Sequence, residues 1–590
     1  MALCPSPRHA THELSPTLTI IYATETGNAP DYAGRVAHHC RRAHFNCCVF
    51  DSEIVSESVV IYIVSTSGTG KEPRTMTPMW RSLLRSDLPH DFFEDLHYAV
   101  FGLGDSSYEK FCWPAKKLSR RLERLGATAI CPRAEGDVQH TLGTDGAFDP
   151  WVSSLTDALL RLFPLPLHLS LSPAEELPTP RVILLSATLE ELRDTPDPLV
   201  GDDRCHLFEL VRNERITTDD WYQDVRHFQF QCWDDIAYDP GDIAVIHPGA
   251  PPIDVDTFLT TLGWSNAADD PIRIQHIFED QSLPDHLPQV STLRILFSRH
   301  LDIGAVPNRP FFRLLKYFAT DEREREKLEE FSSPEGAGEL YEYTTRVRRT
   351  ILEVLNEFRS VHVPREHIFE LFPPLRPREF SIASASLAHP HEIHLCVAVV
   401  DYKTKLRARR RGVCTSFLAS LPIGTIGITK GLLALPPDSS TPVVCIGPGT
   451  GVAPARAVLE ARVHLGMRDN TLYFGHRASG KDEHYSREWA TLAEAGNLTY
   501  RVAASRDGPE GTPRVYVQDL IRQDVKRIWR LIHDRGAWVY ISGSSNKMPA
   551  GVRAALVDIA REEGELEEEE ARAYVARLER EERLFEECWS

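Results

Sequence analysis

Three apolar runs near the amino terminus constrain the fold more than anything else in the chain. Leu18-Thr19-Ile20-Ile21-Tyr22, Val59-Val60-Ile61-Tyr62-Ile63-Val64 and Tyr98-Ala99-Val100-Phe101-Gly102-Leu103 are almost continuously hydrophobic, as strands buried on both faces are. Each runs into a loop of small, hydroxyl-bearing residues: Thr24 to Pro30, Ser65 to Gly70, and Gly104 to Tyr108. A helical pattern follows the first loop through about Arg42, with Asn28 placed to cap it and Pro30 suited to its first turn. Three such strands imply a parallel α/β sheet with one crevice at the strands' carboxyl ends. N–H groups and hydroxyls at the first junction can hold a phosphate. The Lys of a nucleotide-hydrolysing P-loop is missing, which disfavours ATP and GTP.

Beyond Phe163 the chain turns Pro-rich to about Asp203, with one apolar run, Val182-Ile183-Leu184-Leu185, able to pack on a neighbour. Short alternating segments follow, such as Val225 to Phe230 and Tyr238 to Val245, as in a small antiparallel barrel. From about Asp254 to Pro374 the pattern is helical, for example over Leu293–His300, Phe311–Phe318 and Thr350–Phe358. The barrel pattern resumes at Arg378-Glu379-Phe380-Ser381, a short strand with a cation at one end and a hydroxyl at the other. Gly412-Val413-Cys414-Thr415 then opens a helix whose N–H groups can hold phosphate. Together these two pieces suit a flavin dinucleotide. A last domain begins with Val443-Val444-Cys445-Ile446 and the Gly-rich turn Gly447 to Pro454, with a helix expected from about Ala455. Ser505-Arg506 and Arg514-Val515-Tyr516-Val517-Gln518 gather guanidiniums, hydroxyls and a ring, the chemistry that holds an adenosine 2′-phosphate and favours NADPH over NADH. Gly564 to Glu587 reads as an acidic helix.

The chain's 590 residues are enough for three or four domains. A net charge of −19, from 66 basic and 85 acidic residues, argues against nucleic-acid binding. The 12 Cys include no Cys-x-x-Cys pair, so reduced thiols are expected and no metal or cluster site of recognisable spacing. Met1 to Pro16 lacks the apolar core of a signal peptide, and no apolar run approaches the ~20 residues of a membrane span. The expected address is the cytosol, with no membrane anchor.

On these motifs the chain resembles the cytochrome P450 reductase superfamily over nearly its whole length. The resemblance implies a multidomain α/β and β protein. After a tail (1–15) come a flavodoxin-like FMN domain (16–162), a linker (163–203), an FAD-binding antiparallel β-barrel (204–436) with a helical connecting insert (about 254–374), and a Rossmann-like NADPH-binding domain with a carboxyl-terminal helix and Trp lid (437–590). Ser542 and the pattern Gly543-x4-Met548-Pro549 resemble the NADPH-dependent diflavin oxidoreductases of cytosolic iron–sulfur assembly, which lack the Cys that P450 reductase carries at that point. By this resemblance FMN contacts Thr24, Glu25, Thr26, Gly27, Asn28 and Ala29 through its phosphate, and Ser65, Thr66, Ser67 and Gly68 along its ring. Leu103, Gly104, Asp105, Ser106, Ser107, Tyr108, Glu109, Lys110, Phe111 and Cys112 form the other wall, with Tyr108 stacked on the ring. FAD contacts Arg348, Arg378, Glu379, Phe380, Ser381, Gly412, Val413, Cys414, Thr415 and Trp589. NADPH contacts Thr450, Ser505, Arg506, Arg514, Val515, Tyr516, Val517 and Gln518. Ser381, Glu587 and the Trp589 lid carry the catalytic roles. The implied activity passes electrons from NADPH through FAD and FMN to an anamorsin-type iron–sulfur protein. The alternatives are a soluble reductase for a P450 or other haem acceptor, and a non-catalytic flavoprotein scaffold. Ser67, Val138, Ser542 and Gly551 depart from common family residues.

Overall fold

A computed structural model describes residues 17–589 except 26, 53–57, 69, 109, 174–175, 234–235, 279, 422, 510 and 546, and the backbone alone of Ile423. The expected tail, Thr26 and Glu109 therefore lie outside the described residues. The chain divides into two compact units, one running to Thr195 and including Asp256–Pro374, the other formed by Pro196–Val255 and Leu375–Ser590.

In the first unit the apolar runs become β1 (Thr17–Ala23), β3 (Val59–Ser65) and β4 (His97–Gly104), joined by β2 (Asn46–Asp51), β5 (Thr128–Ala129) and β6 (Ala134–Asp137). The sheet order is β2-β1-β3-β4-β5, with β6 also on β4, and every pairing is parallel. Alternation along β1 explains the layers, because successive strand side chains face opposite ways. Leu18, Ile20 and Tyr22 pack with α1 (Asn28–Arg42) and α4 (Asp145–Leu162), whereas Ile21 and Ala23 pack with α2 (Thr77–Leu83) and α3 (Trp113–Arg124). One expectation fails at α1: Asn28 is already its first helical residue. The N-cap is Gly27, in the left-handed region at φ 85°, with no side-chain cap bond. Thr24 Oγ1 accepts the Gly27 N–H at 2.8 Å, and this tight reversal needs a residue that tolerates positive φ.

The apolar run in the expected linker is the strand Val182–Ser186, antiparallel to Ile272–His276, which also pairs with Val290–Ser291. The helical pattern of 256–374 appears as short helices, among them Arg309–Leu315, Glu322–Ser332 and Ile351–Glu357. Within this unit a charged cluster is taken out of solvent: Arg35 Nη1 meets Asp145 Oδ1 at 2.7 Å and Arg309 bonds Asp149. Arg309 is 7% exposed.

In the second unit β7 (Cys205–Arg215), β8 (Val225–Cys232), β9 (Ile243–Ile246), β10 (Arg378–Ser381), β11 (Glu392–Ala398) and β12 (Ile423–Thr429) form an antiparallel sheet of order β10-β9-β12-β7-β8-β11. The Ile382–Leu395 bridge brings its two edges together into a barrel. Phe208, Phe228, Phe230, Ile393 and Leu395 fill it, and Cys414 and Leu418 of α5 (Val413–Ser420) pack into the same core.

A second parallel sheet follows, built from β13 (Val443–Ile446), β14 (Asn470–His476), β15 (Thr499–Ala504), β16 (Trp538–Ser544) and β17 (Leu584–Trp589) in the order β15-β14-β13-β16-β17. Helices α6 (Val452–His464), α7 (Lys547–Glu562) and α8 (Glu568–Arg580) accompany it. α6 starts three residues before the expected Ala455, directly after a 3-10 turn over Gly449–Gly451. The expected acidic helix to Glu587 ends at Arg580, and 584–589 is strand. Glu582 turns with φ 54°, after which Leu584 is buried and Phe585 stacks on Tyr540 at 5.4 Å. An open sheet edge and an apolar contact for the ring outweigh helix propensity there.

Arg309 shares Asp145 and Asp149 with Arg35, so its removal leaves both carboxylates a partner and forfeits a hydrogen bond to a charged group, at a cost of about 1.5–3 kcal/mol. Arg309→Ala is expected to destabilise the first unit by about 2 kcal/mol, read in chemical denaturation as an earlier loss of helical signal.

Candidate functional site

The carboxyl ends of β1, β3 and β4 are neighbours in the first sheet, so their three loops meet. Side chains stitch them together: Ser65 Oγ donates to Ala23 O at 3.0 Å and Thr66 Oγ1 to Leu103 O at 2.9 Å. The hydroxyls of Ser65 and Thr66 therefore hold the loops. Glu25 is likewise engaged, its carboxylate accepting the Arg74 N–H at 2.8 Å and Nε–H at 2.5 Å. Arg74 escaped the sequence reading, since an Arg after a Pro carries no local signal. Leu103 and Cys112 are buried, so they serve the site through backbone.

The arrangement fits an anionic, ring-bearing group. The first turn of the 15-residue helix α1 has no side-chain cap, and its N–H groups with the helix dipole favour a phosphate. A Cβ on Gly70 (φ 94°) would lie 2.3 Å from Lys110 Cβ, so only Gly lets the second and third loops close on each other. Tyr108 is 42% exposed, as a ring offered for stacking must be. Asp137 accepts N–H bonds from Ser106 and Gln139, both at 3.0 Å. Desolvation opposes its ionisation, but these donors outweigh it and hold the carboxyl below the usual range. Asp105 is held low in the same way by Ser107 and Gln139 against desolvation. One acidic pair thus orders the third loop, and the exposed Val138 between its bonds adds no charge.

In the second unit, β10 and α5 come together. Burial pushes the Cys414 thiol up to about 12 and the nearby Arg378 guanidinium pulls the other way, so Arg378 sits by the start of α5. A Cβ on Gly412 would meet Thr415 Oγ1 at 2.7 Å and Val400 Cβ at 2.8 Å. Thr415 is buried and its hydroxyl accepts the Val400 N–H at 3.1 Å. Cys414 and Thr415 therefore offer backbone at the helix start, beside an exposed guanidinium, which suits a pyrophosphate. Phe380 packs partly on the barrel core, and Glu379 is exposed beside it. Arg348 belongs to the first unit, in a left-handed turn at φ 53° after Tyr341–Thr345.

Ser381 ends β10, and its Oγ donates to Glu587 Oε1 at 2.5 Å. Glu587 is brought there by β17, whose register sets it opposite Ser542 and Trp589 opposite Ser544. Ser542 is 2% exposed and its hydroxyl has no partner. A buried hydroxyl left unmatched costs stability, and a polar amide of a bound nucleotide would satisfy it. Trp589 is 41% exposed, a ring at a strand end rather than on a helix.

The Gly-rich turn presses on this strand: a Cβ on Gly451 would lie 2.2 Å from Ser542 O, and one on Gly447 2.6 Å from Gly451 O. Thr450 sits between them in the 3-10 turn. At the ends of β14 and β15, Ser505 donates its hydroxyl to His476 O at 3.1 Å and the Arg506 N–H to Arg477 O at 2.7 Å. Desolvation first, and Arg506 second, lower the Arg477 proton affinity. The backbone bond sets Arg477 beside Arg506, a neighbour the sequence reading did not single out, and the Arg477 guanidinium lies over the Tyr222 ring at 5.2 Å. Arg514, Val515 and Tyr516 are exposed, and Tyr516 caps the helix Val517–Gln523. The Val517 side chain is buried in the domain core against Gly475, so a nucleotide contact there would be made by its backbone. Gln518 lies against Gly551, where a Cβ would make ordinary contact at 3.4 Å.

Ser381→Ala and Glu587→Gln are each expected to slow NADPH-dependent flavin reduction about tenfold or more. Because the two side chains act as a unit, the double variant should lose little beyond either single one in rapid-mixing measurements.

Comparison with known proteins gives the same modules. Profiles described as flavodoxin, FAD binding domain and oxidoreductase NAD-binding domain match residues 20–151, 201–417 and 445–554. A protein of Cryptococcus neoformans var. neoformans serotype D (strain JEC21 / ATCC MYA-565) is 40% identical over 624 residues, covering 97% of this chain and 99% of that protein. Relatives from Xenopus laevis and Bos taurus are each 39% identical over 606 residues, covering 97% and 98% of this chain and 99% and 100% of their own lengths. All three are named NADPH-dependent diflavin oxidoreductase 1. With its flavodoxin sheet, flavin barrel and nucleotide sheet, this chain belongs to the NADPH-dependent diflavin oxidoreductases and uses FMN, FAD and NADPH.

Proposed function

We propose that this reductase delivers electrons from NADPH to an iron–sulfur protein of the anamorsin type in the cytosol. The observation that carries the reading is the end of β16. Ser542 stands buried where P450 reductase has a thiol, and the loop beyond it holds Gly543 and Met548-Pro549, as in the iron–sulfur assembly branch. It is also in keeping that no helix among the described residues is long and apolar enough to cross a membrane.

The flavins, when bound, supply the redox chemistry, taking electrons from NADPH in a pair and releasing them singly. The chain's residues bind and orient. The first turn of α1 and the Thr24–Ala29 loop hold the FMN phosphate, and Tyr108 stacks on its ring. Arg378 and the start of α5 would hold the FAD pyrophosphate. Ser381 and Glu587 would hold a proton beside the FAD ring through their shared hydrogen bond, and the exposed Trp589 would cover that ring and shield it from water. Arg477, Arg506 and Arg514 hold the 2′-phosphate, with Ser505 and Tyr516 beside them. Exposed Tyr108, Trp113 and Val138 give the acceptor an apolar rim by the FMN loops.

Losing a hydrogen bond to a charged group costs about 1.5–3 kcal/mol, or roughly tenfold to hundredfold in affinity. Arg506→Ala should raise KM for NADPH by that factor and leave KM for NADH nearly unchanged. For the acceptor, NADPH is added anaerobically to the flavin-loaded protein with an anamorsin-type partner, and flavin and cluster absorbance are followed. Cluster reduction that requires both flavins is the expected result. Flavins that bleach while the cluster stays oxidised would redirect the search to a haem acceptor, and flavins that never bleach would leave a scaffold.

A further inference from the structure

The turn between β10 and β11, with the start of β11, carries a group of side chains that the electron-transfer reading does not use. His389, Glu392 and His394 bring two imidazoles and a carboxylate together, with no pair of their ligand atoms more than 4.8 Å apart. Glu392 Oε2 lies 3.0 Å from His394 Nε2 and 3.4 Å from His389 Nδ1. Tetrahedral Zn2+ with bonds of about 2.0–2.1 Å sets its ligands about 3.3 Å apart, so two edges of such a site already exist. His389 and Glu392 are partly exposed and His394 is buried, so an ion can enter from one side and find a rigid ligand at the back.

We propose that these three residues bind one divalent transition-metal ion of the Zn2+ class. Two imidazoles and a carboxylate are a donor set of borderline softness, suited to Zn2+ and not to Mg2+ or Ca2+. The surroundings are those of a metal site. His389 Nε2, the nitrogen turned away from Glu392, bonds Glu460 Oε1 at 2.9 Å, the carboxylate–imidazole contact that orients a metal-binding His. Gln229 Nε2 donates to Glu392 Oε2 at 3.0 Å. Glu488 and Glu460 pair with a single guanidinium, Arg456, at 3.0 Å and 3.3 Å, and Glu392 adds a third carboxylate linked to Glu460 through His389. With neutral imidazoles this group carries two net negative charges, which a dication balances.

Arg456 sets the cost. Its Nη1 donates to Ala383 O at 2.5 Å and lies 3.3 Å from His394 Nδ1. Without an ion, Nδ1 accepts from Arg456 and Nε2–H points to Glu392. Binding at Nε2 moves the imidazole proton to Nδ1, and Arg456 keeps Ala383, Glu460 and Glu488. The ion would clamp the turn to α6 through Glu460, so it acts on the stability of the second unit.

The test titrates Zn2+ into the flavin-loaded, EDTA-treated protein by calorimetry, with metal analysis after gel filtration. One Zn2+ per chain is expected at micromolar affinity, together with a rise of the thermal transition in Zn2+ over EDTA. Glu392→Gln and His389→Ala should each weaken binding at least tenfold and abolish the thermal shift, while flavin content and the transition in EDTA stay as in the parent. If His389→Ala fails to retain flavin, Glu392→Gln decides alone. Absence of binding by the parent at 100-fold Zn2+ excess, or undiminished binding by Glu392→Gln, would overturn the site.

Discussion

A parallel strand buried on both faces has to end somewhere, and all its neighbours end on the same side. That geometric constraint sets the architecture of this chain twice. In the first sheet it brings the loops after β1, β3 and β4 to one edge, and in the second it does the same for those after β13, β14, β15 and β16. Glycine then decides how close the loops can approach. At Gly70, Gly447 and Gly451 a Cβ would fall inside another residue's atoms, so the crevice walls are backbone, and backbone N–H groups are what phosphates bind.

Buried Arg309 and Arg456 each sit in a compensated ionic group. Arg309 and Arg35 share Asp145 and Asp149, and Arg456 is ringed by Glu460 and Glu488. Each group joins elements distant in sequence. An ion pair of this kind adds little net stability over an apolar contact, but it penalises any arrangement that leaves one member alone. The two clusters thus select one packing of their helices and strands.

Much of this was legible in the residues themselves. Continuous apolar runs announced the parallel strands, and Gly-rich turns announced the phosphate sites, because both signals are local. What depends on partners far along the chain was not legible. Asn28 looks like a cap, but a hydrogen bond from Gly27 to Thr24 moves the helix start. Residues 581–587 look helical until an open sheet edge and Tyr540 are present to receive them. Arg74, Arg477 and the Ser381–Glu587 bond exist only once distant strands are side by side, and the His389, Glu392 and His394 spacing straddles a turn and a strand, matching no single periodicity.

The pairing of β9 with β10 has a kinetic side. Ile243 faces Ser381 and Ile246 faces Arg378, yet the whole helical insert lies between them in sequence. Closing so long a loop through an unstructured chain is slow, because the entropy is spent before any contact rewards it. The insert belongs to the same compact unit as the flavodoxin sheet, so the pairing that positions Ser381 depends on a closure whose loop is itself a folded body, not on neighbouring residues.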